Sequence, residues 1–289
     1  MFSLSKILLP VDFSPRAVGA ARYAEALVER YGAQATMLHV IPPPQYDIAL
    51  MEAGAIPLTE MSASRKAAAE RQIQAFLTDT LPEFHPERRL RDGDPAREIV
   101  RIAHEEKFDL ILMPTHGYGL FRRFILGSVA AKVLHDADCP VWTGVHLEGA
   151  PPVESLRFRT VVAALDLGKQ SEKTLAWAAG FAAKAGARLV VAHATPSMDR
   201  RTGEFFDPWR EDLTKDAAKR IHQLQEAVGT KAEVVVEAGD PPYLIEAVAK
   251  REMADLVVIG RGATAGVLGR LRANAYAIIR QSPSPVVSV

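Results

Sequence analysis

Cysteine is almost missing from this 289-residue chain. Cys139 stands alone, so neither an internal disulfide nor a cysteine-rich metal site can be built. Its place between Asp138 and Pro140, at the start of an apolar run, reads as a packing position. The eight histidines show no close ligand spacing, which leaves a structural metal site without support. Charge of one sign is also lacking: 35 basic residues face 35 acidic ones and no block of like charge stands out. Duplex nucleic acid and anionic membranes therefore have no electrostatic footprint to meet, and neither is expected as a partner. No apolar run approaches membrane-spanning length, and Lys6 to Val11 follows the amino terminus as a strand-like segment without a signal-type leader. The expectation is a soluble cytoplasmic protein. Two catalytic signatures are missing as well, the Walker-type Gly-x-x-x-x-Gly-Lys-Ser/Thr loop and the Gly-x-Ser-x-Gly elbow.

What the chain has is a repeat. Leu8-Leu9-Pro10-Val11-Asp12-Phe13-Ser14 returns as Val162-Ala163-Ala164-Leu165-Asp166-Leu167-Gly168. Met37-Leu38-His39-Val40 returns as Val191-Ala192-His193-Ala194, Asp92-Gly93-Asp94-Pro95 as Ala238-Gly239-Asp240-Pro241, and Asp109-Leu110-Ile111 as Asp255-Leu256-Val257. The offset is 154 residues at His39 and His193 but 146 at Asp94 and Asp240, so the copies differ most between their second and third strands. The proline- and glycine-bearing connection Pro42 to Thr59 lies in that interval and reads either as a lid over a ligand crevice or as a surface loop. Gly149-Ala150-Pro151-Pro152 interrupts the periodic pattern, which puts one domain at 1–146 and the second at 156–289.

Within each copy, short β-branched apolar runs alternate with stretches of helical period. This is the pattern of an α/β fold: two repeated open, mostly parallel five-stranded sheets flanked by helices. Strands are predicted at Lys6–Val11, Ala35–Val40, Arg88–Arg91, Asp109–Met113 and Val141–Thr143 in the first copy. Ser14 before Pro15 predicts a helix start, Gly32 a left-handed stop, and Ser171 and Gly186 the same punctuation in the second copy. Asp94-Pro95 and Asp240-Pro241 each open a further helix, with Gly93 and Gly239 at the turn. Helices are also predicted at Glu60–Leu81, Val129–Leu134 and Asp207–Val228.

The copies part company at a glycine-rich segment. After Leu110 to Met113 come Pro114-Thr115-His116-Gly117, nine residues, then Gly127-Ser128 at the opening of a helix. Glycine lets backbone approach an anion, and a helix start presents unpaired amides with a favourable dipole. Thr115 and the Ser128 hydroxyl add donors, and Ser128 equally reads as an ordinary helix cap. Arg122 and Arg123 supply cations or a solvated face, and His116 reads as a loop-stabilising residue without a nucleophile beside it. In the second copy Gly260-Arg261-Gly262-Ala263 replaces the first part of the loop and Ala273-Asn274 aligns with Gly127-Ser128. The second phosphate end is therefore rebuilt, although Arg270, Arg272 and Arg280 offer side-chain cations there. The dinucleotide-like Gly260 to Ala265 match lacks the acidic residue that a ribose needs and reads as chance.

Asp12, His39-Val40, the Gly-Asp-Pro turn, Thr-His-Gly and the later Gly-Ser together resemble the universal stress protein family in its tandem two-domain form, over essentially the whole chain. The resemblance implies an adenine nucleotide, ATP or a relative with Mg2+ as its companion, held in the first domain. Asp12 would contact adenosine, Val40 would offer backbone groups to the base, and Gly117, Gly127 and Ser128 would hold phosphates, with Thr115 read from its own hydroxyl as a further donor at the other rim. It also implies that Val141–Thr143 and Val286–Val289 pair across the domains, making the chain an intrachain pseudo-dimer; a further homodimer and protein partners stay open. Pro114 departs from the family loop, standing where its first glycine belongs and lacking an amide hydrogen. The expected function is a stress-response regulator or scaffold biased by nucleotide, with little or no turnover. The alternatives are a scaffold or small-ligand carrier that binds no nucleotide, and a weak ATP hydrolase.

Overall fold

A computed structural model describes residues 2–43, 58–115, 126–144, 149–196, 208–261 and 273–289. These form two compact units. The first contains 4–141 and 149–156, and the second contains 157–289 together with residues 2–3 and 142–144, in each case among the described residues.

In the first half of the chain the order is β1 (Lys6–Pro10), α1 (Pro15–Tyr31), β2 (Gln34–Ile41), α2 (Leu58–Ala75), β3 (Glu87–Asp92), α3 (Pro95–Glu105), β4 (Leu110–Leu112), α4 (Ser128–Asp136) and β5 (Val141–Thr143). The second repeats it as β6 (Thr160–Ala164), α5 (Ser171–Ala185), β7 (Arg188–Thr195), α6 (Pro208–Val228), β8 (Glu233–Ala238), α7 (Pro241–Arg251), β9 (Leu256–Ile259), α8 (Ala273–Gln281) and β10 (Val286–Ser288). The strands run β3-β2-β1-β4-β5 in the first half and β10-β9-β6-β7-β8 in the second. β1 is parallel to both neighbours, with Ile7 opposite Ala35 of β2 and Leu110 of β4, and β6 repeats this with β7 and β9. Ile7, Leu8 and Leu9 are fully buried, as are Val161, Val162 and Ala163. A central parallel strand covered on both faces reads as an unbroken apolar run for this reason.

Punctuation by short polar residues holds at most of its predicted places. Ser14 caps α1, its side chain accepting from the Ala17 amide, and Asp94 caps α3 by accepting from the Arg97 amide at 2.9 Å. Gly32 and Gly186 close their helices in the left-handed region, at φ 66° and 67°. Ser171 differs: the cap is Gln170, and Ser171 is the first helical residue, its hydroxyl donating to Asp166 Oδ1 at 3.1 Å. β4 begins one residue after Asp109, whose amide donates to the Lys6 carbonyl at 2.9 Å while its carboxylate accepts the Ser5 and Lys6 amides at 2.7 and 2.9 Å. Asp255 pins Arg159 and Thr160 the same way in the second unit. The helix expected through Leu81 stops at Ala75; Leu77 turns left-handed at φ 71°, and Leu77 and Leu81 still bury their side chains. The apolar pattern continued there, but it was tertiary packing rather than helix that used it.

The second unit has an aromatic centre. Phe181 is fully buried and meets Phe2, Trp142, Phe158 and Trp177 at centroid distances of 5.2 to 6.0 Å. Gly180 sits in mid-helix because a Cβ there would fall 2.3 Å from the Cβ of Phe2.

In the first unit, the turn Val153–Ser155 packs on α1, and Arg22 Nη1 donates to the Ala150 carbonyl at 2.5 Å. Nearby, Glu25 is 6% exposed, and among the described residues its Oε2 has no hydrogen-bond partner. Burial pushes this carboxyl above the ordinary glutamate range, and the neighbouring Glu29, Glu154 and Glu83 push the same way. A folded-state pKa above the unfolded one contributes stability at low pH that disappears as pH rises through the folded value. Glu25→Gln is therefore expected to raise the urea midpoint of the protein at pH 8 and to leave it nearly unchanged at pH 4. Equal shifts at both pH values would show that ionisation of Glu25 is not opposed by the fold.

Candidate functional site

β1 pairs with β2 on one side and β4 on the other, so the chain reverses its direction of travel across the sheet at β1. In parallel sheets a crevice opens at such a switch point, beyond the carboxyl ends of the strands. A cavity of about 710 Å3 lies there, within the range of roughly 300–1,000 Å3 that small ligands use. Its floor is apolar, with Val11, Leu38, Val40, Ile99, Met113 and Ala130, and its rim carries Asp12, His39, Pro114, Thr115, Gly127 and Ser128. Five of the six site residues predicted from sequence thus come together. Gly117 lies outside the described residues, as do His116, Arg122 and Arg123.

Asp12 follows β1 at the mouth of this crevice. Its Oδ1 accepts the Ser14 amide at 3.0 Å, closing a short turn that leads into α1. Phe13, between them, is left-handed at φ 63°, a region that non-glycine residues seldom occupy. Its ring lies 4.3 Å from the His39 ring and 5.4 Å from that of Phe76.

Val40 earns its place through its backbone. The Val11 amide donates to the Leu38 carbonyl at 2.9 Å, so Leu38 faces β1, while Gly93 donates to the Ile41 carbonyl on the β3 side at 3.0 Å. Peptide groups alternate sides along a strand. Val40 therefore turns its N–H and C=O toward the β1 side at a level where β1 has already ended. Among the described residues no hydrogen bond is recorded for either group.

The anion end is the start of α4. Gly127 is its cap, at φ −62° and ψ 148°, with no side-chain bond, so Ser128 is the first helical residue rather than the cap. The Gly127 amide itself donates to the Thr115 carbonyl at 2.8 Å, while its carbonyl takes the first intrahelical bond from Ala131. The amides that a helix start leaves without intrahelical acceptors are consequently those of Ser128, Val129 and Ala130, all three in the cavity lining. Together with the dipole of the helix they favour an anion at this end. Lys132 Nζ reaches Asp94 Oδ1 at 3.4 Å, tying α4 to the head of α3. The Arg97 amide, then Lys132, holds the Asp94 carboxyl below the ordinary aspartate range.

Comparison with known proteins supplies the family. The family model described as "Universal stress protein family" matches residues 4–143 and again 157–289. The chain belongs to the universal stress protein family. A universal stress protein of Mycolicibacterium smegmatis is 26% identical over 98% of this chain and 96% of its own length. A universal stress protein of Methanocaldococcus jannaschii is 31% identical over 47% of this chain and 79% of its own. A solved universal stress protein structure from Archaeoglobus fulgidus shares the fold, with a TM-score of 0.70 and 23% identity over 99% of this chain and 96% of that one.

As a universal stress protein with two copies of the fold, the chain allows its halves to be compared. In the second unit Asp166 Oδ1 accepts both the Gly168 amide at 2.8 Å and the Ser171 hydroxyl at 3.1 Å, whereas Asp12 Oδ1 accepts the Ser14 amide alone among the described residues. A Cβ on Gly260 would stand 2.9 Å from Thr174 Oγ1, so α5 crowds the end of β9. Arg261 is 4% exposed and its amide donates to the Val289 carbonyl. Residues 262–272, which include the rest of the second glycine segment and Arg270 and Arg272, lie outside the described residues. Among the described residues no helix is long and apolar enough to cross a membrane, and no cluster of three or more acidic, histidine or cysteine side chains could hold a metal.

Sequence reasoning missed the walls of the site. Pro95, Ile99 and Met113 read as ordinary core and cap positions, and only the approach of α3 to α4 makes them a lining. Phe13 carried no signal of its left-handed backbone. His39 did carry one, its return as His193, but its partner is a carbonyl that no sequence pattern names.

Proposed function

We propose that this universal stress protein binds an adenine nucleotide in its first unit and uses it to bias conformation or assembly in a stress response, with little or no turnover. The observation that carries this reading is one cavity bounded by a carboxylate, the outward backbone of a strand and a helix start. Asp12 suits ribose hydroxyls, Val40's N–H and C=O suit the edge of a purine, and the Ser128 to Ala130 amides suit phosphate oxygens, with the Ser128 hydroxyl beside them. Thr115 and Gly127 then shape the phosphate end through their shared hydrogen bond; Gly117, outside the described residues, is assigned to the phosphates by the same reading. Among the described lining residues Asp12 is an acidic side chain and no lysine or arginine stands beside it, so Mg2+ is the natural companion of a polyphosphate here. Cytoplasmic placement and protein partners belong to the same reading.

A second reading, a protein scaffold or carrier without nucleotide, rests on Pro114. It lines the cavity without an amide hydrogen, and the Gly127 amide beyond it is already engaged. Mass spectrometry of the purified protein under gentle denaturation and calorimetry with MgATP distinguish the two. The expected result is a co-purified adenine nucleotide and a heat of binding that weakens in Ser128→Ala. No nucleotide and no heat would leave the scaffold.

A further inference from the structure

His39 carries an arrangement that the binding site as described does not explain. A regular parallel ladder would follow the bond from the Val11 amide to the Leu38 carbonyl with one from the Val40 amide to the Val11 carbonyl. Among the described residues that second bond is not recorded. The Val11 carbonyl instead lies 2.8 Å from His39 Nδ1, and since a carbonyl only accepts, Nδ1 carries the proton. The imidazole thus takes the acceptor that the Val40 amide would otherwise use.

The second unit repeats every part of this. The Leu165 amide donates to the Ala192 carbonyl at 2.9 Å, and His193 Nδ1 lies 2.8 Å from the Leu165 carbonyl. Asp166 takes the Gly168 amide as Asp12 takes that of Ser14, and Leu167 is left-handed at φ 55° as Phe13 is at φ 63°. A left-handed bulky residue persists only where its surroundings over-determine it. In the first unit those constraints are the histidine bond behind it, the aspartate turn ahead of it and the ring contact with His39 itself.

We propose that His39 is a positioning residue that ends the β1–β2 ladder one bond early, which frees the Val40 amide for the ligand and holds the Asp12 carboxylate at the rim. This rests on the adenine-nucleotide reading for its ligand but not for its geometry. His39→Leu removes the donor while keeping an apolar side chain under Phe13. His39→Asn keeps an N–H at the same number of bonds from Cα as Nδ1.

Three measurements on the full chain test it. Nitrogen-15 NMR of the imidazole is expected to show His39 protonated on Nδ1 and bare on Nε2; the opposite tautomer overturns the proposal. Hydrogen exchange at the Val40 amide is expected to slow by about tenfold in His39→Leu, as that amide gains the Val11 carbonyl as acceptor; unchanged exchange overturns it. MgATP affinity is expected to fall by about tenfold in His39→Leu, the worth of about one hydrogen bond, and to recover in His39→Asn. His193→Leu, in the other unit, is expected to leave that affinity unchanged. Equal affinity in wild type and His39→Leu overturns the proposal. Wild type that binds no nucleotide defeats the functional reading instead, and the tautomer and exchange results then decide the role of His39 by themselves.

Discussion

Replacing Ser128 with proline is expected to weaken MgATP binding by about two to four orders of magnitude while leaving thermal stability almost untouched. Hydrogen bonds to charged groups contribute about 1.5–3 kcal/mol each, and this substitution removes an amide and a hydroxyl at once. The fold tolerates it for stated reasons. Ser128 is the first residue of α4, where proline's fixed φ suits a helix and its missing N–H breaks no intrahelical bond. Gly127 before it is already extended at ψ 148°, the conformation that a following proline demands. Calorimetric titration and a melting curve on the same sample provide the check. Unchanged affinity with an unchanged melt would mean that no phosphate sits on the start of α4.

Phe181→Ala is expected to cost about 3–5 kcal/mol, the range for truncating a large buried aromatic. Its ring is the hub of the second unit's aromatic centre, with Trp177 stacked on it at 5.3 Å and Trp142 edge-on at 5.8 Å. Their surroundings relax only partly around such a cavity, so the loss exceeds simple transfer to water. Urea unfolding followed by tryptophan emission measures it, because two of the three tryptophans lie in this cluster. A loss below about 1 kcal/mol would mean that the site collapses freely and the cluster is not tightly packed.

Much of the site was legible in the sequence because its chemistry is local. Asp12 ends an apolar run, Gly127-Ser128 opens a helix, and Thr115 follows a strand; each is a statement about neighbours along the chain. Where local rules competed, the reading slipped. Ser171 and Gln170 are both able to start α5, and the choice went to Gln170 because the Ser171 hydroxyl is drawn to Asp166. Asp109 carries a strand-like context, yet its carboxylate is spent on amides about a hundred positions away in sequence. The role of Gly127 shifted for a similar reason. Its amide is oriented by Thr115, twelve positions earlier, so the donors facing the cavity belong to the next three residues.

Read alone, the order of residues determined that the chain is one α/β unit written twice, where most of its strands and helices begin, and that the two copies diverge at the glycine-rich loop. Period and punctuation are short-range properties, and they survive without coordinates. Only the tertiary structure decided that Val40 turns its peptide groups toward a place where β1 has run out, and that His39 rather than Val40 satisfies the Val11 carbonyl. It also decided that Pro95, Ile99 and Met113 close a cavity around Asp12. The Val40 and His39 outcomes depend on the register of one strand against another, where a one-residue slip would turn each group to the opposite side, and the cavity wall depends on how α3 packs against α4.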